Sequence, residues 1–367
     1  MKTAKKNLTF VYIYAICIIM LIDGHSGNRI GILSSIFPYD SFFMPLFVFS
    51  SGYFYRKRPL QSIVLRKLKR LVVPYLIYDL VMVLFVSRIT DLLFRTNWHR
   101  IISLKSIIRL VFDKPTTPIN GPAWFVIMLF WVSISYAIVR TIFPLSKNHD
   151  YSLLFLFCII GLISVHVCIH YTGSDDIKWF VIRFICRTLF YMQFYHIGYM
   201  FRNYFETFLK KRSRYLICSL CVTINLVLVL LYGSKINFYS TYYMKSFNFT
   251  LLPFVTSITG IAFYYEVASF FADAIGNNKI VSFIGRNTFT ILQVHMLFVN
   301  VPNYYIYYAI RCGSQKYNDF PINEYINSIW VRYSPNSKLV GFFCGLIGSI
   351  IVAYFLERIS AIIKTAQ

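Results

Sequence analysis

Residues 8–24 read LTFVYIYAICIIMLIDG, a run with no Lys, Arg, Asp or Glu before Asp23. Its apolar residues lie on every side of a helix rather than along one stripe, so lipid is the surrounding that suits it. The basic start (Lys2, Lys5, Lys6) is that of a signal peptide. No small-residue cleavage site follows, only Asp23-Gly24-His25-Ser26, so the helix is read as retained. Moving outward, apolar blocks of similar length recur at approximately 8–24, 37–55, 70–87, 121–143, 151–170, 179–201, 214–232, 247–270, 281–299 and 338–360. Each is near the roughly 20 residues that span a bilayer as a helix, where the backbone must satisfy its own hydrogen bonds. The expected fold is an all-α, polytopic integral membrane protein of about ten transmembrane helices, one membrane domain over residues 1–367.

Composition agrees. The chain has 367 residues, 57% hydrophobic and 14% charged, which excludes a disordered chain, a collagen-like repeat and a small disulfide-stapled secreted domain. A net charge of +23 would suggest nucleic acid in a soluble protein. In a membrane protein the better reading is basic cytoplasmic loops, with membrane lipids as neighbours and no nucleic-acid partner. Two clusters mark that side: Arg56, Lys57, Arg58, Arg66, Lys67, Lys69 and Arg70, then Arg202, Lys210, Lys211, Arg212 and Arg214. An even number of spans then puts both termini inside. Two outer segments are long. Near 91–113, Ile101, Ile102, Leu104, Ile107, Ile108 and Val111 alternate with Arg100, Lys105 and Arg109, which predicts an amphipathic helix on the membrane surface. The 300–337 loop is rich in Tyr and Asn and carries Trp330; such residues suit an interfacial belt and equally suit stacking on sugar rings. The eight cysteines give no disulfide framework. Cys218 and Cys221 form a CxxC inside an apolar helix, where neither redox nor metal chemistry is expected.

Ionisable groups inside spans are costly and therefore informative. They are Asp23 and His25 at the end of the first span, Asp79 in the third, His166 in the fifth, Arg183, Arg187 and His196 in the sixth, Glu266 in the eighth and His295 in the ninth. Arg183 and Arg187 share a helix face. They either pair with Asp79, Glu266 or Asp23 and lock the bundle, or line a cavity holding an anionic or polarised group. His25 is a candidate general base; a helix–helix hydrogen bond is its plainer reading. On a continuous helix Asp23 points away from it, whereas unwinding at Gly24 lets the two meet. His166, His196 and His295 read mainly as packing or interface histidines. The basic run Arg66, Lys67, Lys69 and Arg70 anchors the inner face and is also suited to binding phosphates.

Taken in order, several motifs form a set: Gly24-His25-Ser26; Phe43-Met44-Pro45-Leu46-Phe47 running to Ser51-Gly52-Tyr53; Arg70-Leu71-Val72-Val73-Pro74-Tyr75; Gly121-Pro122-Ala123-Trp124-Phe125; Phe194-Tyr195-His196-Ile197-Gly198-Tyr199; and Ile284-Gly285-Arg286-Asn287-Thr288 leading to His295. The set resembles the membrane-bound acyltransferase family 3, closest to its fucose 4-O-acetylase-like and capsule or O-antigen O-acetyltransferase branch. The resemblance implies an enzyme of the bacterial plasma membrane. It would move an acetyl group from cytoplasmic acetyl-CoA to a hydroxyl of a cell-surface or lipid-linked glycan, with no metal. It implies His25 as the catalytic histidine and Arg66, Lys67, Lys69 and Arg70 as the site of the CoA phosphates. Arg183 or Arg187 would stabilise the oxyanion, and Asp79 or Glu266 would orient His25. One departure stands out: where many members carry Arg or Lys eleven residues before the histidine, this chain has Tyr14. No fused esterase-like domain is expected after Gln367, so the membrane domain itself would meet the acceptor. A lipid-linked glycan flippase, or a non-catalytic partner in polysaccharide assembly, is the alternative from another class.

Overall fold

The computed structural model describes residues 7–27, 36–37, 39–98, 100–143, 146–171, 177–209, 212–233, 244, 249–333 and 335–365. The described chain is helical throughout, without strands. In order the main helices are α1 (Leu8–Ser26), α2 (Tyr39–Tyr53), α3 (Leu60–Phe94), α4 (Leu104–Phe112), α5 (Trp124–Ile142), α6 (Lys147–His170), α7 (Ile177–Met200), α8 (Arg214–Tyr232), α9 (Leu252–Ile275), α10 (Lys279–Arg286), α11 (Thr288–Val299), α12 (Val301–Arg311), α13 (Ile322–Asn327) and α14 (Pro335–Thr365).

Seven described helices are long and apolar enough to cross a membrane: Leu8–Ser26, Leu60–Phe94, Gly121–Ile142, Lys147–His170, Arg214–Tyr232, Leu252–Ile275 and Lys338–Ile363. The other three expected spans are helical but of a different kind. Helix α2 has 15 residues, and α7, at 24 residues, is diluted by Lys178, Arg183, Arg187, Gln193 and His196. The expected span 281–299 is broken at Asn287 into α10 and α11.

Three other expectations are revised. Helix α3 begins at Leu60 rather than near 70, so the basic run lies within the helix. Two of its turns are wide π turns, Leu68–Val72 and Met82–Val86. The first lies just ahead of Pro74, which has no N–H to donate; there Val73 N–H reaches back five residues to the Leu68 carbonyl. The amphipathic segment 91–113 is interrupted: residues 91–94 end α3, and helix resumes at Leu104, where a Ser103–Ser106 capping box starts α4, none of whose residues is buried. The 300–337 segment is largely folded, as α12, a 3₁₀ turn at Gln315–Tyr317, and α13.

The chain divides into two compact units, with boundaries inside α1 and α3. The first comprises Met1–Ile13, Gly31–Val73 and Phe125–Gly276. Its centre is α2 against α7, with α6 and α8–α9 around them. The α2–α7 contact is backbone on backbone: a Cβ on Gly52 would fall on the Tyr195 carbonyl, and one on Gly198 on that of Phe49. Behind it lies a buried ion pair, Arg140 Nη2 to Asp150 Oδ1 at 2.6 Å. His196 bridges Tyr136 and the Asp150 carbonyl, so it is a hydrogen-bonded interior histidine rather than an interfacial one.

The second unit comprises Tyr14–Ile30, Pro74–Trp124 and Asn277–Gln367. Here α11 lies along α14. Gly341, Gly345 and Gly348 line one face of α14. A Cβ there would meet the Val299 carbonyl, the Val299 side chain (with Ile22 at 3.0 Å) and the Phe298 ring in turn. That bare face brings α1, α11 and α14 together. One face of α3 organises the rest: Tyr75 donates to the Leu110 carbonyl of α4, and Tyr78 donates to Thr290 of α11. Asp79 Oδ1 accepts from the Thr116 N–H at 2.8 Å, which pins the loop ahead of Trp124.

Filling the closest approach should be the most damaging single change in the first unit. Gly52→Val is expected to cost about 3 kcal/mol or more, since it forces two helix backbones apart. Thermal melting in detergent checks this; Gly233→Ala, with open space around it, should lose far less and only through its positive φ.

Candidate functional site

Helix α1 runs without a break through Gly24 to Ser26, so Asp23 and His25 project to different sides and the unwound alternative does not apply. Gly27, at φ +72°, ends the helix, its N–H bonded to the Gly24 carbonyl. The half-buried His25 therefore sits on the last turn. Its own carbonyl, one of the orphans at a helix C-terminus, accepts from Arg332 Nε at 2.8 Å. A guanidinium there also meets the negative end of the helix dipole.

The His25 imidazole meets another imidazole. His25 Nδ1 and His295 Nε2 are 2.7 Å apart, with the rings nearly parallel at 13°. His295 is fully buried, and its Nδ1 lies 3.0 Å and 3.2 Å from the carbonyls of Leu292 and Ile291. Carbonyls only accept, so His295 Nδ1 carries the proton and, in a neutral ring, Nε2 is the lone pair. His25 must then donate from Nδ1. Its own Nε2 is left as a lone pair with no hydrogen-bonding partner among the described residues. A chain of two bonds, starting from helix carbonyls, thus sets the tautomer that a general base needs. A neutral orienting partner also suits the interior of a membrane protein, where a carboxylate in that place would carry a large desolvation cost.

Around the pair, the Trp330 ring stands edge-to-face to His25 at 5.4 Å. Arg332 is held by the carbonyls of Ile329 and Val331 and by Asn300 Oδ1. Asn300 is anchored on Met296 and joined by Asn303, which also donates to the Val331 carbonyl. Burial pushes the Arg332 guanidinium down to about 10, so it remains a cation at neutral pH. An open cleft of about 890 Å³ adjoins the site, lined in part by Trp330 and Arg332. Val331 and Tyr333, two of its lining residues, pack against a buried core that includes Trp98, Tyr304, Phe320 and Tyr325. Asp91 caps the end of α3 by accepting from Trp98 N–H, and Asn97 N–H docks on the Ile326 carbonyl.

The other sequence-derived residues are divided between the two units. Asp79 belongs to the same unit, but its described bonds go to Thr116 and Asn120 rather than to His25. Glu266 pairs with Arg214 at 3.4 Å, and Arg214 also holds Asp273 at 2.7 Å, both within the first unit. Arg183 and Arg187 are buried in α7. Of the basic run, Lys69 and Arg70 are exposed while Arg66 and Lys67 are half-buried, all on the first part of α3. Sequence reasoning missed His295 as the partner of His25, and Arg332 altogether. Both come from segments far along the chain, and only His295, an ionisable residue in an apolar run, gave a signal.

These features define a class: an all-α integral membrane protein with a histidine whose accessible nitrogen is held in the basic tautomer beside an open cleft. Residues 12–358 match the acyltransferase domain of acyltransferase family 3, and the chain belongs to that family. No curated protein and no solved structure matches it. The protein is therefore a membrane acyltransferase.

The His25–His295 bond can be tested directly. His295→Phe removes the acceptor and is expected to lower acyl transfer by about 100-fold or more. His295→Gln, whose amide oxygen can accept the same bond, should retain most of the turnover. Turnover of both variants at matched melting temperature checks this; equal loss in both would reduce His295 to a packing residue.

Proposed function

We propose that this protein is an O-acyltransferase that moves an acetyl group from cytoplasmic acetyl-CoA to a hydroxyl of a cell-surface or lipid-linked glycan. The observation that carries the reading is the His25–His295 pair, which leaves His25 Nε2 free to take a proton. In the proposed step Nε2 removes the proton of an acceptor hydroxyl while its oxygen attacks the thioester carbonyl. The oxyanion collapses, the C–S bond breaks, and the imidazolium returns its proton to the departing thiolate. His295 stays neutral and keeps the donated Nδ1–H in line, a positioning role rather than a chemical one.

The remaining assignments rest on residue chemistry. The exposed Lys69 and Arg70, with Arg66 and Lys67, form a cationic patch suited to the CoA phosphates. Arg183 or Arg187 would supply the fixed positive charge that steadies the oxyanion; donors of this kind are worth about 3–4 kcal/mol. The basic clusters favour cytoplasmic termini and a bacterial plasma-membrane location, with the cleft on the outer side. The membrane-resting role of α4 belongs to the same reading.

The test is mass spectrometry of the host's surface glycan with the gene intact, deleted, and carrying His25→Ala. An acetyl-sized increment present with the intact gene should be lost in both altered strains, while the glycan still reaches the surface and the variant protein inserts at normal abundance. Normal acetylation by a well-folded His25→Ala protein would remove the general-base role. Loss or shortening of the glycan itself, with acylation unchanged, would point instead to a glycan flippase.

A further inference from the structure

We propose that the cleft beside His25 is the acceptor subsite, and that it takes a neutral or N-acetylated sugar in preference to a uronic acid. This rests on the acyl-transfer reading above and adds the place and charge class of its acceptor. Two residues belong to both cleft and site. Trp330 lines the cleft and packs against the His25 ring, and Arg332 lines it and binds the His25 carbonyl. A ligand in the cleft therefore lies within one side chain of the base. The volume of about 890 Å³ falls within the roughly 300–1,000 Å³ common for small organic ligands.

The lining has the chemistry of a sugar site. Trp330 is 50% exposed, against 0%, 8% and 1% for Trp98, Trp124 and Trp179. The C–H bonds of one pyranose face are apolar and suit such an indole, while the hydroxyls around the ring need short polar partners. Asn323, Asn327, Asp319 and Glu324 provide amides and carboxylates at the rim. An interfacial belt accounts for the indole but not for four polar side chains around one concavity.

Charge selects among sugars. Neither Asp319 nor Glu324 forms an ion pair among the described residues, so the rim presents two free carboxylates in a chain whose net charge is +23. Arg332 is the only cation of the lining, and its Nε and Nη1 are already given to carbonyls and to Asn300. Its Nη2 has no hydrogen bond among the described residues but is buried from solvent. A sugar carboxylate would thus face two like charges with no guanidinium edge open to it.

The probe is the set of oligosaccharides released from the surface glycan of the gene-deleted strain. Added to the purified full-length protein, they should shift the emission of Trp330, obtained by subtracting the spectrum of Trp330→Phe. Trp330→Ala, and separately the exposed-rim change Asn323→Ala/Asn327→Ala, should raise the KM for these oligosaccharides about tenfold while the KM for acetyl-CoA stays put. Fragment mass spectrometry should place the acetyl group on a neutral or N-acetylated residue. Unchanged acceptor KM in both variants, while transfer proceeds, overturns the subsite and leaves the acyltransferase reading intact. Acetylation of a uronic acid overturns the charge selection. Saturable Trp330 quenching without transfer to any acceptor supports the subsite and sinks acyl transfer instead.

Discussion

A hydrogen bond of 2.7 Å between two imidazoles joins the end of α1 to the middle of α11, and the surrounding architecture of the second unit serves its geometry. Two neutral rings are a weak pair on energetic grounds, because a single interhelical bond in a membrane protein contributes only about 1 kcal/mol. Their value is directional. The carbonyls of Ile291 and Leu292 are fixed by the helix, so the proton on His295 cannot move to the other nitrogen without breaking a bond to the backbone. That preference passes to His25 unaltered.

Keeping two rings at this separation demands close helices, and the glycines supply that. Gly341, Gly345 and Gly348 remove side chains from the face of α14 that meets Val299, Ile22 and Phe298. Ile22 is one turn before His25, and Val299 one turn after His295. Arg332 and the Asn300–Asn303 pair complete the frame from the far side by tying the 329–332 loop to the end of α1. The site is thus built on helices with one short loop clasped against them, the arrangement that holds reacting groups most steadily.

Much of this was legible in the sequence, and the failures are specific. Hydropathy found all the long apolar helices, since lipid imposes one rule on every residue they expose. It misjudged 281–299, because an apolar stretch of bilayer length does not reveal a break at Asn287 whose ends are satisfied locally. It also took 300–337 for loop, because Tyr and Asn in α12 and α13 give weak helical patterns, while the burial of α12 is set by contacts with α3 and α14. His25 stood out as a charge-bearing residue among apolar ones. Its true neighbour stood out in the same way but not as its partner, since sequence favours an acid as the partner of a histidine and has no measure of distance between residues 25 and 295. Arg332 was invisible for the opposite reason: a basic residue in a polar loop looks solvated, and only the folded chain shows it half-buried and bound to the His25 carbonyl.

The two wide turns of α3 carry a consequence for how such chains change over generations. A π turn is the form a helix takes when one extra residue is lodged in it without disturbing either end. Met82–Val86 lies between the Tyr75–Tyr78–Asp79 face and Asp91, which accepts from the Trp98 N–H. Losing one residue there would close the wide turn to an ordinary α turn and leave Asp91 on the N–H it caps, whereas a residue lost elsewhere in α3 would rotate everything beyond it by about 100°. Kindred chains can therefore gain or lose one residue at this turn and keep Asp91 paired with Trp98, while the rest of the helix must hold its length more strictly than the identity of its side chains.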